Sequence, residues 1–421
     1  MDSAMFDLVR KHQQPFYKTS VRGSRYSLID NDGVISFHAV VAPTEDRDLR
    51  KAALSAIHEV DTLLKREKLQ GCVIAQTVFL RSLTDRHVIE PLLEEYFGDY
   101  LPVITYVPQC PCEKSEPFVF EISAVKGETR RIRVIRRGPH AVIYDVGELS
   151  YGYFGGFSPA QESNTAYKES RDTFRKMCVE MRRCGFDTSD LLRTWLYQGS
   201  ITRPEGATQR YKELNRARTD FFNGVQFLRK FVPEGKKGVV YPASTGIGAD
   251  GIGIWMASIA VRTDAEKSPG LALVPLENPG QTSAFDYGEA YSPQSPKFSR
   301  AMALVHGENC RIYVSGTASI NDSETQFVGD PAAQTRRTIH NIVDLISGPN
   351  LERHGLSGFD ATLDDLASAR VYIKREADYP LVRSIVDEAL RSTPIVYTFT
   401  DICRDDLLVE IEGIAVCDNG K

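Results

Sequence analysis

The sequence predicts an α+β protein made of three tandem copies of one β-β-α-β-α-β-β unit, folded together as a pseudo-trimer. Three observations predict it. At 421 residues the chain is too long for a single hydrophobic core. Strand-like and helix-like apolar spacing alternate in the same order along each third of the chain. Two of the thirds close on matching stretches, Ile259-Ala260-Val261 and Ile414-Ala415-Val416. The expected domains are residues 1–134, 135–275 and 276–421, the last carrying the closing strand.

The first copy opens with Tyr26–Ile29, turns at Asn31-Asp32-Gly33 and continues into Val34–Val40. Asp-Gly accepts the positive φ angles of a tight hairpin, which is why the turn falls there. A helix starting near Pro43-Thr44 places Leu54, Ile57, Val60 and Leu64 at three- and four-residue spacing. The β-branched strand Cys72–Leu80 follows, then the helix Ile89–Phe97 with its stop at Gly98. Strands Leu101–Tyr106 and Phe118–Ala124 complete the copy. The basic run from Arg130 to Arg137 is interleaved with Ile and Val, which predicts a strand at a domain joint in preference to a nucleic-acid arm.

The second copy begins with Val142–Gly147. Its first helix spans Asn164–Cys184, with Phe174, Met177, Cys178 and Met181 on one side and a stop at Gly185. Next come the strand Leu191–Tyr197, the helix Tyr211–Phe222, and the strands Tyr241–Gly246 and Ile252–Val261. A connecting segment, residues 276–300, leads to the third copy. That copy opens with Arg311–Gly316, whose Ile-Tyr-x-x-Gly matches Ile143–Gly147. The helix Ala332–Ile346, the strand Ala369–Ile373, the helix Leu381–Leu390 and the strand Ile395–Phe399 follow in order.

The closing strand, residues 400–415, is the most informative stretch. Alternation puts Leu408, Glu410 and Glu412 on one face and Leu407, Val409 and Ile411 on the other. Paired Glu on a strand also fits a half-solvated antiparallel strand. The first copy has Glu121 and Ser123 at the expected counterparts of Glu410 and Glu412, and the second has Trp255 and Ala257. Only the third copy keeps both carboxylates, so one working cleft is expected.

Composition sets outer limits on function. With 42% hydrophobic and 25% charged residues the chain has an ordinary globular composition, and a net charge of -5 gives no general attraction to nucleic acid or anionic membrane. No apolar run reaches the length of a membrane span, and Met1–Asp7 lacks the pattern of a signal peptide, so a cytoplasmic monomer is expected. The eight cysteines do not pair at zinc-finger spacing, and Cys110-Pro111-Cys112 has too short a spacer, so no metal is expected.

Gly246-x-Gly248-x-x-Gly251 fits a dinucleotide fingerprint. A β-branched segment follows it, however, where the fingerprint needs a helix N-terminus, so no nucleotide cofactor is expected.

The element order and the closing Val-Glu-Ile-Glu-x-Ile-Ala strand resemble the reactive-imine deaminase (RidA/YjgF-like) superfamily, whose subunits form trimers with clefts where neighbours meet. A narrower resemblance runs from Arg193 to the end. Arg193-Thr194-Trp195-x-Tyr197, Pro242-Ala243-x-Thr245-Gly246-Ile247-Gly248-Ala249, Glu277-Asn278-Pro279, Gly329-Asp330 with Gln334, and residues 400–413 are similar to the chorismatase family. That resemblance implies release of pyruvate from chorismate, without a cofactor. Cys403 and Gly316 look like the branch that forms 3-hydroxybenzoate; the diol-forming branch has Ala at both points.

The chemistry agrees with the resemblance. Chorismate is a dicarboxylate with an acid-labile enol ether, so its cleavage needs a proton donor and cations. A Glu held dry keeps its proton near neutrality, and by resemblance Glu410 is that acid. Arg218 and Arg300 match family arginines that would grip carboxylates, Tyr197 and Tyr287 would donate hydrogen bonds, and Thr245 and Gly316 would leave room for the ring. Cys403 would help the ring regain aromaticity. Plainer roles stand beside these: an ion pair for Arg218, core packing for Tyr197, bracing for Arg193 and a buried inert thiol for Cys403.

Asn321–Glu324 and Asp250 replace two family histidines. The alternatives are an imine or enamine deaminase and an inactive ligand-binding homologue. The deaminase reading lacks an Arg after Pro102, Pro242 or Pro394, where the small relatives hold a substrate carboxylate.

Overall fold

Three sheets, each with the same internal strand order, make up the core of the computed structural model, which describes residues 15–43, 48–127, 132–160, 165–228, 231–232, 239–263, 270–288 and 294–419. Met1–Asp7, Arg130, Arg131 and Asn164 lie outside the described residues. In the first copy the elements run β1 (Phe16–Thr19), β2 (Arg25–Asn31), β3 (Val34–Val41), α1 (Leu49–Arg66), β4 (Val73–Leu80), α2 (Arg86–Phe97), β5 (Val103–Pro108), β6 (Cys110–Pro111) and β7 (Phe118–Gly127). The second has β8 (Ile132–Arg136), β9 (Ala141–Val146), β10 (Leu149–Phe157), α3 (Ala166–Arg183), β11 (Leu191–Gly199), α4 (Arg210–Phe222), β12 (Ala243–Ala249) and β13 (Ile254–Arg262). The third has β14 (Leu271–Leu276), β15 (Ala301–His306), β16 (Asn309–Ala318), α5 (Pro331–Ile346), α6 (Gly348–Arg353), β17 (Leu366–Ile373), α7 (Tyr379–Leu390), β18 (Ile395–Phe399) and β19 (Val409–Asp418).

The sheet orders are β1-β2-β3-β7-β4-β5, β8-β9-β10-β13-β11-β12 and β14-β15-β16-β19-β17-β18, the last extended by β6. In each copy the closing strand lies centrally, between the third and fourth strands, and the fourth and fifth strands are parallel. A helix provides the crossover that a parallel pair requires. The expected three-copy α+β architecture is therefore present, with three strands where two were expected ahead of the first helix of each copy.

Local chemistry accounts for the helices. Asp48 caps α1 by accepting from Arg50 and Lys51 N–H groups, and Asp330 caps α5 by accepting from Ala333 N–H at 2.9 Å. The buried stripe of α1 is Ala53, Ala56, Ile57, Val60, Leu63 and Leu64. Leu54, expected on that face, is 47% exposed, because it falls one position past the stripe's edge. Phe174, Met177, Cys178 and Met181 of α3 are buried as expected.

Several expectations need correction. The joints at 134 and 275 cut through β8 and β14, which pair wholly with the second and third sheets; sheet membership starts those copies by Ile132 and Leu271. Residues 276–300, expected to connect the second copy to the third, fall inside the third, and Arg311 does not open it, because β14 and β15 precede β16 in its sheet. The Ile-Tyr-x-x-Gly match is not structural equivalence. Ile143 sits in β9, the second strand of its sheet, whereas Ile312 sits in β16, the third.

The copies meet along a shared axis. Phe79, Val107 and Val119 from the first pack with Tyr197 and Ile247 from the second and Tyr372, Val396 and Leu407 from the third. The two-residue strand β6 also crosses over, pairing Cys110 and Pro111 with Phe399 and Thr398 of β18.

Candidate active site

Strand β19 positions the two carboxylates. Val409 and Ile411 point into the third copy's own core, which leaves Glu410 and Glu412 on the face turned toward the other copies. Leu408 departs from the expected alternation. It packs in the same core as Val409 while Leu407 joins the axial cluster, because regular strand geometry begins only at Val409. Both Glu side chains are buried, at 4% and 3% exposure.

Register corrects the comparison between copies. Tyr372 lies opposite Glu410, Tyr197 opposite Trp255 and Phe79 opposite Val119. Arg370 lies opposite Glu412, and Thr77 lies opposite Glu121. Glu121 is thus the counterpart of Glu412, not of Glu410, whose counterpart in the first copy is Val119. Each closing strand is paired through a bulge near Ile414, Ile259 or Ser123, and counting from the bulge gives the same alignment.

Glu412 is enclosed by donors. Arg370 Nη1, Trp195 Nε1 and the Tyr372 hydroxyl each donate to its Oε1 at 2.9 Å, while Arg193 and Thr245 donate to Oε2. Burial alone would raise its proton affinity. Arg193 and Arg370 outweigh burial and hold the carboxyl below its ordinary range, so Glu412 is an anion.

Glu410, two residues earlier, meets the opposite environment. Among the described residues no hydrogen bond reaches its carboxyl, and it faces a cavity of about 270 Å3 between the second and third copies. Burial, reinforced by the Glu412 charge, pushes it up to about 8 against the pull of Arg193 and Arg300. Gly316, on the neighbouring strand β16, lies directly against this carboxyl. A Cβ there would overlap the Glu410 carboxyl oxygen and sit 3.1 Å from the Thr245 methyl. The Gly316 N–H donates to Thr245 Oγ1 at 2.9 Å, which ties this strand to Glu412.

Of the expected site residues, Glu410, Cys403, Arg300, Tyr287 and Gly316 line this cavity. Arg300 Nη2 donates to the Tyr287 hydroxyl at 2.6 Å and to Thr282 O at 2.9 Å, and the residue is 3% exposed. Burial and the nearby Glu410 push the Cys403 thiol up to about 12, so it stays protonated.

The other four are placed elsewhere. Arg218 is buried behind the wall, donating to Asn215 Oδ1 at 2.6 Å and stacking over Phe298; its partner is not Asp220 or Glu213. Thr245 serves Glu412. Arg193 and Tyr197 face the axis, where Tyr197 accepts from Arg370 Nη1 at 2.6 Å, so they brace Glu412 and do not line the cavity.

Sequence reasoning passed over Tyr211, Lys212 and Arg404, which do line the cavity. Gly246 is the available signal for Tyr211, since a Cβ there would meet the ring at 3.1 Å. Gly248 similarly lies against the Asp401 backbone, its N–H donating to Asp401 O at 2.9 Å, so this glycine run serves close packing. Arg404 donates to Ser323 O at 2.8 Å and lies over the Tyr287 ring at 5.2 Å. Asp250 and the Asn321–Glu324 side chains are not in the cavity wall.

The equivalent clefts lack an acid at this position. Between the first and second copies Trp255 takes the place of Glu410, beside Arg86 stacked on Tyr106. Between the third and first copies Val119 does.

No protein-family model matches the chain. It is 37% identical over 237 residues to 3-hydroxybenzoate synthase of Streptomyces hygroscopicus, a match covering 55% of this chain and 65% of that protein. It is 36% identical over 228 residues to a chorismatase of Streptomyces rapamycinicus, covering 53% and 63%. The chain thus matches slightly less than two thirds of these relatives. A crystal structure of a chorismatase superposes with a TM-score of 0.61 at 23% identity, covering 82% of this chain and 93% of that one, which establishes the shared fold.

Proposed function

We propose that this protein cleaves the enolpyruvyl ether of chorismate, releasing pyruvate and 3-hydroxybenzoate, in the cavity between its second and third copies. The observation that carries this reading is the contrast between two neighbouring carboxyls. Glu412 is ionised by its donors, whereas Glu410 is dry, lacks a hydrogen bond among the described residues and retains its proton to about pH 8. Environments that separate two acids in this way assign a proton donor.

Glu410 protonates the enolpyruvyl methylene, and the developing positive charge weakens the ether bond to the ring. The neighbouring ring hydroxyl oxygen attacks the ether-bearing carbon and gives up its proton while the ether electron pair leaves with pyruvate. The oxygen's original C–O bond then opens, the C–H proton at that carbon is lost as aromaticity returns, the oxygen takes up a proton and Glu410 regains its own. Together the two products contain every atom of chorismate, so neither water nor an oxidant is consumed. Arg300, with Arg404 and Lys212 on the same cavity wall, offers the positive charge a dicarboxylate needs. Cys403 takes part as a neutral thiol beside the ring. Arg218 supports the wall through Asn215.

Protein incubated with chorismate should release pyruvate, with 3-hydroxybenzoate identified as the ring product. Glu410→Gln should lower the rate by roughly 100-fold or more, as loss of a general acid does, while the fold is retained. Near-normal turnover by that variant would remove Glu410 from the mechanism. We further propose a cytoplasmic monomer, in which three copies within one chain supply the contacts of a trimer. Among the described residues no helix is long and apolar enough to cross a membrane.

A further inference from the structure

Among the described residues the first copy contributes nothing to the wall of the Glu410 cavity. It does send a carboxylate to the axis. Glu121 Oε1 accepts from Arg370 Nε at 3.0 Å and its Oε2 pairs with Nη2, a two-pronged contact. Arg370 Nη1 donates at 2.9 Å to Glu412, so one guanidinium bridges a carboxylate of the first copy and one of the third. Arg193 pairs with the other oxygen of Glu412. Two guanidiniums and two carboxylates thus form a set with no net charge, buried except for the partly exposed Glu121. Without Glu121 the same set would carry one positive charge beside Glu410, where low polarity transmits it strongly.

We propose that Glu121 is a positioning residue for the Glu410 acid, acting through Arg370 and Glu412 to keep the axial ion set neutral; this rests on the reading of Glu410 as proton donor. Other groups face that carboxyl as well. Arg193 comes from β11, Arg300 and Tyr287 from the segment ahead of β15, and Cys403, Arg404 and Asp405 from the loop before β19. Tyr211 and Lys212 come from α4, with Arg218 behind them. None of these touches Glu121, so substituting Glu121 leaves them in place while altering the charge that Glu412 sees. The first copy then has a chemical role although it does not border the cavity. Its counterpart in the second copy, Ala257, has no charge to offer.

The protonated Glu410 carboxyl can be followed by difference infrared spectroscopy, assigned by its absence in Glu410→Gln. Glu121→Gln should move its titration down by roughly half to one pH unit, and the alkaline limb of pyruvate release should move with it. Glu121→Asp, which keeps the charge, should leave the titration close to its original position. Arg370→Gln should move the titration up, and the double variant, which leaves Arg193 and Glu412 as a neutral pair, should return it close to the original. If Glu121→Gln does not fold, as near-ultraviolet circular dichroism would show, the double variant and Arg370→Gln decide the matter by the same signs. An unshifted or raised titration in Glu121→Gln, or a double variant no different from Arg370→Gln, overturns the proposal. Absence of pyruvate release by the unaltered protein would instead overturn the catalytic reading, and the infrared titration would still report whether the charges are coupled.

Discussion

Among the described residues no hydrogen bond reaches the Glu410 carboxyl, whereas Glu412, two residues away, is crowded with donors, and this contrast has a consequence for stability as well as for the proposed catalysis. Burial holds the Glu410 carboxyl at about 8, above its ordinary value of 4.5. Above that ordinary value the unfolded chain releases a proton that the folded chain keeps. The carboxyl's contribution to stability therefore falls as pH rises from there to about 8 and is level beyond. Glu410→Gln removes this dependence. The thermal midpoint of the variant, measured against that of the unaltered protein, should rise across the same window, and a difference that stays flat would show an unperturbed carboxyl. Gly316 makes a second test at this scale. In Gly316→Ala the new methyl must displace the Glu410 carboxyl, the movable end of its side chain, so folding should survive while pyruvate release falls by about 10-fold or more. Unchanged kinetics in Gly316→Ala would mean that the position of this carboxyl does not matter.

At the scale of elements, β19 links chemistry to architecture. Its core face, Val409, Ile411, Ala415 and Cys417, fixes the strand in the third copy, and its other face presents Glu412 to strands β11, β12 and β17. Arg193 and Arg370, both nearly fully buried, depend on that carboxylate. Glu412→Ala would leave two guanidiniums facing one carboxylate, Glu121, and should destabilise the protein by about 3–5 kcal/mol in urea denaturation. A loss below about 1 kcal/mol would mean that water or another group compensates the charge. The pairing is weak evidence for stability as such, since an apolar replacement of the whole set could be equally stable; its value lies in holding two acids in different protonation states.

For the whole molecule, the three copies are joined by more than their linkers. The axial cluster draws aromatic and aliphatic side chains from all three, the Glu121–Arg370–Glu412 bridge crosses between the first and third, and β6 extends the third sheet. Breaking any one copy would expose apolar surface and unpaired charge on the others. Calorimetry of the full chain should therefore show one cooperative unfolding transition, whereas two or three resolved transitions would show that the copies fold as separate units. The pseudo-trimer also explains why one cleft carries an acid at the Glu410 position: three joined copies can diverge, and here Val119 and Trp255 stand where Glu410 stands in the third.

The alternation of strand and helix regions, the helix faces and the shared face of Glu410 and Glu412 were legible in the sequence, because each is a matter of local period. Also legible by resemblance were Cys403, Arg300, Tyr287 and Gly316, which the fold brings to one cavity. Strand β10 was hidden because Gly152, Gly155 and Gly156 erase its alternation, β14 because Pro275 and the nearby Pro279 make that stretch look like a linker, and β15 because its run Ala301–Val305 is apolar throughout and has no alternation to read. The first-copy counterpart of Glu412 was misaligned because bulges set the register and leave no mark in the pattern. Arg193 and Tyr197 could not be assigned to the axis instead of the cavity, since strands buried on both faces give a polar side chain two interiors to enter. Periodicity decides which atoms share a face of one strand. Which face meets which, across residues as distant as Glu121 and Arg370, is decided only when the three sheets close around one axis and each buried charge must find its opposite.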